Sequence, residues 1–185
     1  MNSPFWTPSW LLQRSWQVGF EDLENKGLPK ASRPQRMTKN SISPVDYVAA
    51  ARRHHQDAQT LFNQGRAANA GQLFGLAMGC GLKALLLAAG IPTDKDGSLP
   101  DRQRFRRHMP ELSDQINAIG HLIPDGKLAN TYLAMIPSRS DFKNWSVDQR
   151  YWRDSALPLA DLPAWATAAT EVGNMLDQAP QDGVL

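Results

Sequence analysis

Between Arg102 and His108 the chain places four arginines and a histidine in seven positions: Arg102, Arg104, Arg106, Arg107 and His108. Cleaving RNA without a metal needs one group to move the 2′-OH proton and a cation to hold charge on the pentavalent phosphate. Histidine and arginine suit those two tasks. Arg102 and His108 are therefore the candidate catalytic residues, with Arg104, Arg106 and Arg107 as phosphate-binding neighbours. The plainer alternative has His108 capping the helix that follows and the arginines forming a solvated loop. Between the two lies a basic patch that binds RNA or nucleotide phosphates without cleaving them.

A second group combines aromatic rings with a guanidinium: Trp145, Arg150, Tyr151 and Trp152. Such a set stacks on nucleobases, which makes Trp145, Arg150 and Tyr151 candidate nucleic-acid or nucleotide-binding residues. The structural alternative has Trp145 and Tyr151 pinning a long link to the core, with Arg150 paired to a carboxylate. His54, His55 and Asp57 share one helix and His121 lies elsewhere, but helical di-metal sites use Glu-x-x-His motifs and further glutamates, which the chain lacks. Neither a metal nor a cofactor is expected. No glycine-rich loop follows a strand, which excludes kinases and Rossmann enzymes. The Gly-Ser and paired-aspartate signature of nucleotidyltransferases is absent too.

The elements that must position these groups are helices. The stretch 69–90 (NAGQLFGLAMGCGLKALLLAAG) is apolar on nearly every side, so it must be buried all round or cross a membrane. Its length just suffices to span, but Lys83 sits mid-span, where a charge costs roughly 3 kcal/mol. A buried central helix is the preferred reading, with Lys83 extending its ammonium to the bundle edge. Gly71, Gly75 and Gly79 fall four apart and are expected to let a neighbouring backbone approach. Ahead of this helix, Ser43-Pro44-Val45-Asp46 opens another, with Ser43 as the capping hydroxyl, running to about Gln64 and stopping at Gly65. Pro110 opens a third over Leu112, Ile116 and Ile119. A fourth carries Leu128, Tyr132 and Met135, with Ala129, Leu133 and Ile136 as the alternate set, and closes at Pro137. An irregular link leads to a fifth, opening at Asp161 or Pro163, with Trp165, Ala169, Val172 and Leu176 on one face. The expected fold is all-α, an up-and-down bundle of about five helices over residues 44–178, with a C-terminal tail at 179–185.

Residues 1–43 differ in character. They hold three of the six tryptophans (Trp6, Trp10, Trp16) among prolines, and six basic against three acidic side chains, leaving 14 against 15 in the remainder. This arm reads either as a docking segment or as disordered sequence ahead of a true start at Met37. The chain's net charge of +2 announces no nucleic-acid partner by itself. Cys80 is the single cysteine, excludes an intramolecular disulfide and fits a cytoplasmic location; inside an apolar helix it reads as a packing residue.

Three segments carry a resemblance to a known family: AARRHHQDAQTLFNQGRAANAGQLFGLAMGCGLKALLLAAG (50–90), RRHMPEL (106–112) and WSVDQRYW (145–152). In that order they resemble the HEPN superfamily of small helical-bundle proteins. The resemblance implies an up-and-down bundle that commonly forms homodimers. It also implies either a metal-independent ribonuclease of toxin or defence systems or a non-catalytic partner of a minimal nucleotidyltransferase. Catalytic members carry an Arg, a polar residue and a His within a few positions on a late helix, whereas Arg102-Gln103 and His108 precede the third helix here. Gly79 stands where similar chains carry Glu. The sequence thus reads as a binding or accessory module for RNA, a nucleotide or a protein encoded nearby, in a toxin–antitoxin or defence setting. A metal-independent endoribonuclease using Arg102 and His108 is the alternative, and a purely structural interaction protein is the third reading.

Overall fold

A helix lacking a polar face has to be surrounded, and α2 (Ala67–Ala88) is: thirteen of its residues are buried, from Ala70 through Leu86. The computed structural model describes residues 43–100 and 105–185, all helical or irregular with no strand. Five α-helices and a set of short 3-10 segments make up these residues. α1 (Tyr47–Asn63) and α2 form a hairpin, and α5 (Leu162–Gln181) packs along another side of α2. α3 (Glu111–Ile119) and α4 (Gly126–Leu133) close one end with Leu112, Ile116, Ala129 and Tyr132 in the core. By length and composition α2 would also pass for a membrane span, but 67% of that window is buried inside the bundle.

Local chemistry explains the boundaries. Asp46, not Ser43, caps α1: its carboxylate accepts from the Ala49 N–H at 2.9 Å. Ser43 instead accepts from the Val45 N–H and donates to the Asp96 carbonyl at 2.7 Å, tying the start of the bundle to the loop after α2. Gly65 (φ +72°) turns the chain between α1 and α2, a conformation that penalises any side chain. Asp125 caps α4 through the Leu128 N–H at 2.9 Å. α5 continues to Gln181, beyond the expected end at 178. Ala179 is buried, and the Tyr132 hydroxyl donates to Asp182, so the expected tail is largely built into the fold. That bond pushes the Tyr132 pKa up to about 12 and holds the Asp182 carboxyl low.

The glycines of α2 work differently from the expectation that a backbone would approach them. Gly71 lies under Trp165 of α5, with ring atoms 3.0 Å from where a Cβ would sit. Gly75 receives the indole of Trp145 so closely that any Cβ would overlap it. On a different face, Gly81 receives Val172 in the same way. Gly79 faces open space, with nothing within 4 Å of a Cβ position. Two tryptophan rings and a valine, rather than a neighbouring backbone, thus fill the notches.

These rings also organise the link between α4 and α5. It is a succession of 3-10 segments, Pro137–Asn144, Val147–Tyr151, Asp154–Ala156 and Leu159–Asp161, where an irregular stretch was expected. Trp145 is 2% exposed and its Nε1 donates to the Gly71 carbonyl at 2.9 Å. Phe142 stacks on Trp165 at 5.9 Å and meets Trp145 edge-on. Glu171 on α5 accepts from both the Ser138 N–H (3.0 Å) and hydroxyl (2.8 Å). Gln72 on α2 donates to the Ser146 carbonyl at 3.0 Å, and buried Gln149 donates to the Asn144 carbonyl at 2.6 Å.

Gly75→Ala is expected to destabilise the fold by about 1–3 kcal/mol, because the Trp145 ring has nowhere to retreat. Gly79→Ala, with open space before it, is expected to be neutral or to stabilise by up to about 1 kcal/mol through helix propensity. Urea denaturation of the two variants checks the contrast. Equal losses would show that Gly79 is as closely packed as Gly75.

Candidate nucleic-acid interface

Among the described residues Lys83 is the cation that lies deepest. Its side chain lies on α2 one turn beyond Gly79, is 9% exposed, and holds its Nζ 5.8 Å from the centre of the Tyr47 ring. Burial pushes the lysine pKa down from its ordinary value, with only the neighbouring Cys80 opposing. Among the described residues no carboxylate comes within 4 Å of the amine and none of them hydrogen-bonds to it. Cys80, one turn earlier, is itself partly covered, and burial pushes its thiol pKa up.

The segment before α3 reaches the same neighbourhood. Phe105 and Met109 are buried at 0% and 1% exposure, which anchors the chain on both sides of Arg106, Arg107 and His108. Arg106 is structural: it donates to the Leu99 carbonyl (3.0 Å), to Asp94 (2.7 Å) and to the Ser98 hydroxyl (2.8 Å), clamping the loop 94–99. Arg107 is exposed and has no carboxylate within salt-bridge distance among the described residues. The expected His108 cap exists only as a backbone contact, its carbonyl accepting from the Leu112 N–H at 2.8 Å. Arg102 and Arg104 lie outside the described residues, so the Arg102–His108 pairing has no described geometry.

The His108 ring is accessible yet partly covered. Desolvation, then the charges of Lys83 and Arg150, press its pKa below the ordinary 6.5, against weaker opposition from Glu111 and Asp148. His108 thus feels charges carried both by α2 and by the link. At neutral pH the imidazole is uncharged, with a lone pair available beside two cations.

The aromatic set divides. Trp145 is a core pin whose ring faces and N–H are all engaged, so it offers no surface to a base. The structural alternative made Tyr151 a second pin, but it is 75% exposed and Trp152 is 46% exposed. Arg150 lies over the Tyr151 ring with its guanidinium carbon 4.7 Å from the centroid, and makes no salt bridge among the described residues. Arg150, Tyr151 and Trp152 form the exposed end of a 3-10 turn that Trp145 and Gln149 anchor from below. Sequence reasoning treated Lys83 as a charge to be accommodated and gave Trp152 no separate role.

His54 and His55 belong to α1, away from these groups in sequence. The His55 ring lies 6.4 Å from that of Phe74 and within 3.4 Å of the Thr170 hydroxyl. Burial lowers both pKa values, with Arg53 adding to the effect at His54.

His54, His55 and His108 all bind a proton less readily in the fold than in the unfolded chain. The unfolded state therefore holds more protons below pH ~6.5, and stability is lost as the pH falls through that value. The melting temperature is expected to hold near pH 7.5 and to decline between pH 6.5 and 5. Replacing the three histidines by glutamine should flatten the decline, and thermal scans across this range check it. The carboxylates with depressed pKa values, Asp96 and Asp182, titrate below 3.8 and leave this window clear.

Comparison of the chain with protein-family models, with curated proteins and with solved structures finds no match.

Proposed function

We propose that this bundle is a binding module for single-stranded RNA or nucleotides, working as an accessory component in the manner the HEPN likeness implies. One observation carries the reading. His108 feels the charges of both Lys83 and Arg150, which come from separate stretches of chain, and Arg150 lies over the exposed ring of Tyr151 with exposed Trp152 next in sequence. Cations supply attraction for phosphates and exposed aromatics supply sequence-tolerant stacking, the two components that single-strand binders combine. Exposed Arg107 extends the positive surface, while Arg106 is committed to the loop 94–99. The same likeness supports a cytoplasmic homodimer acting with a protein partner of a toxin–antitoxin or defence type.

A second reading has its own observation. An uncharged imidazole at neutral pH, flanked by two cations, is the state in which His108 can accept a 2′-OH proton while positive charge faces the phosphate. This is a metal-independent endoribonuclease, for which Arg102 would be a further cation.

End-labelled RNA incubated with the protein in excess chelator separates the two. Binding without cleavage is expected, strongly weakened by salt. Tyr151→Ala with Trp152→Ala should lower affinity by roughly 5- to 100-fold, the range set by losing stacked bases. Cleavage that disappears in His108→Ala would install the ribonuclease reading. Absence of both binding and cleavage would overturn both and leave a protein-interaction bundle.

A further inference from the structure

Two adjoining cavities are built from α3, the end of α4 and the 3-10 segment Pro137–Asn144, and no residue assigned to the RNA surface lines them. One, of about 470 Å³, is polar, with Ser113, Asp114, Ser140 and Lys143 in its wall. The other, of about 320 Å³, is bounded chiefly by Ile116, Ile123, Leu133 and Ala134. Asn117 and Arg139 line both, so they mark the seam between a polar and an apolar compartment. The wall formed by the 3-10 segment is held against α5: Glu171 accepts from the Ser138 N–H and hydroxyl, and Phe142 stacks on Trp165. A concave site of this kind, apolar with a few convergent polar groups, is the usual form of a small-molecule site.

Arg139 gives the seam its chemistry. Its Nη1 donates to the Leu133 carbonyl at 3.2 Å and to the Ile136 carbonyl at 3.1 Å, where α4 ends. These bonds fix the guanidinium plane. Among the described residues they leave Nε and Nη2 with no hydrogen-bond partner and no carboxylate within 4 Å. Nε and Nη2 share one edge of the guanidinium, a fork that takes both oxygens of a carboxylate. Ser113 is 7% exposed, and its hydroxyl makes no hydrogen bond to the described residues, so a ligand oxygen would satisfy a group that has lost most of its water. Lys143 and Asp114 line the same cavity, and neither is in an ion pair among the described residues. Two cations against one carboxylate leave a single positive charge in excess, which matches a monoanion better than a dianion. We infer that the two cavities form a receptor for a small carboxylate with a branched apolar body. Its oxygens would lie on the free edge of Arg139 and its hydrocarbon among Ile116, Ile123, Leu133 and Ala134. An α-amino acid and a plain carboxylic acid share that chemistry, and Asp114 would serve only the ammonium of the first. The site stands apart from the RNA reading, with which it has no residue in common.

The experiment titrates four probes to millimolar concentration into the isotopically labelled full chain: leucine, isocaproate (leucine without its amine), isopentylamine (leucine without its carboxylate) and acetate. NMR follows the Arg139 Nε–H and the Asn117 side-chain amide. Leucine or isocaproate is expected to shift both signals and to bind roughly tenfold to a hundredfold more tightly than isopentylamine, the worth of charge-assisted hydrogen bonds. Acetate, with no hydrocarbon to bury, should bind more weakly than either. Arg139→Lys keeps the charge but loses the fork, and should remove the preference for carboxylate over amine. Ser113→Ala leaves the Arg139 clamp on α4 in place and should weaken binding by roughly twofold to tenfold. Ala134→Phe, at an exposed position on the cavity wall, should block the apolar compartment and abolish binding. Leucine binding more tightly than isocaproate would uphold the site and give Asp114 its role, and the reverse order would uphold it with a plain carboxylic acid as ligand. Acetate binding as tightly as isocaproate would reveal a bare anion contact and overturn the proposal. So would the absence of any shift at Arg139 and Asn117, or binding unaltered in both Ser113→Ala and Ala134→Phe.

Discussion

The contact between Trp145 and α2 is the constraint on which the candidate site depends. An indole can lie against a helix backbone only where the side chain beneath it is missing, and Gly75 provides that gap. The Nε1 bond to the Gly71 carbonyl then fixes the ring's orientation as well as its position. Phe142 and Trp165 extend the packing to α5 through a stacked pair. One helix, one link and a second helix are thus locked by three aromatic side chains and two glycines. The outward end of the link, Arg150 to Trp152, follows from that lock.

The site inherits its electrostatics from this packing. Lys83 stands on the helix that everything else covers, so its ammonium has lost much of its water, and among the described residues no carboxylate compensates. His108 is carried toward it by the buried anchors Phe105 and Met109. Arg150 sits on a segment anchored by Gln149 and Trp145. Clustered positive charge is normally diluted by paired carboxylates at a protein surface; around Lys83 the described residues leave it undiluted.

Arg106 shows how a basic cluster can be divided by its surroundings. In sequence it is one of four arginines with equal claim on a phosphate. In the fold its guanidinium meets the Leu99 carbonyl, the Asp94 carboxylate and the Ser98 hydroxyl, and so holds the loop after α2. Arg107, its neighbour, faces solvent. Adjacent residues of one type therefore differ in role because successive side chains in an irregular segment point in different directions.

The sequence by itself determined the all-helical class, the five helices to within a few residues, and the burial of the central one. Those features are written in local terms: apolar spacing, capping aspartates, prolines and a helix without a polar face. It also contained the glycine ridge, though not its use, because Gly71, Gly75 and Gly79 look alike until Trp165, Trp145 and open space are set beside them. Only the tertiary structure decided that Trp145 is spent inside while Tyr151 faces out, and that Asp46 rather than Ser43 caps α1. The same holds for His108 feeling the charges of Lys83 and Arg150, since each lies in a different element. Which of several cations meet is set by long-range packing of apolar anchors. Composition and spacing do not encode that outcome in the cations themselves.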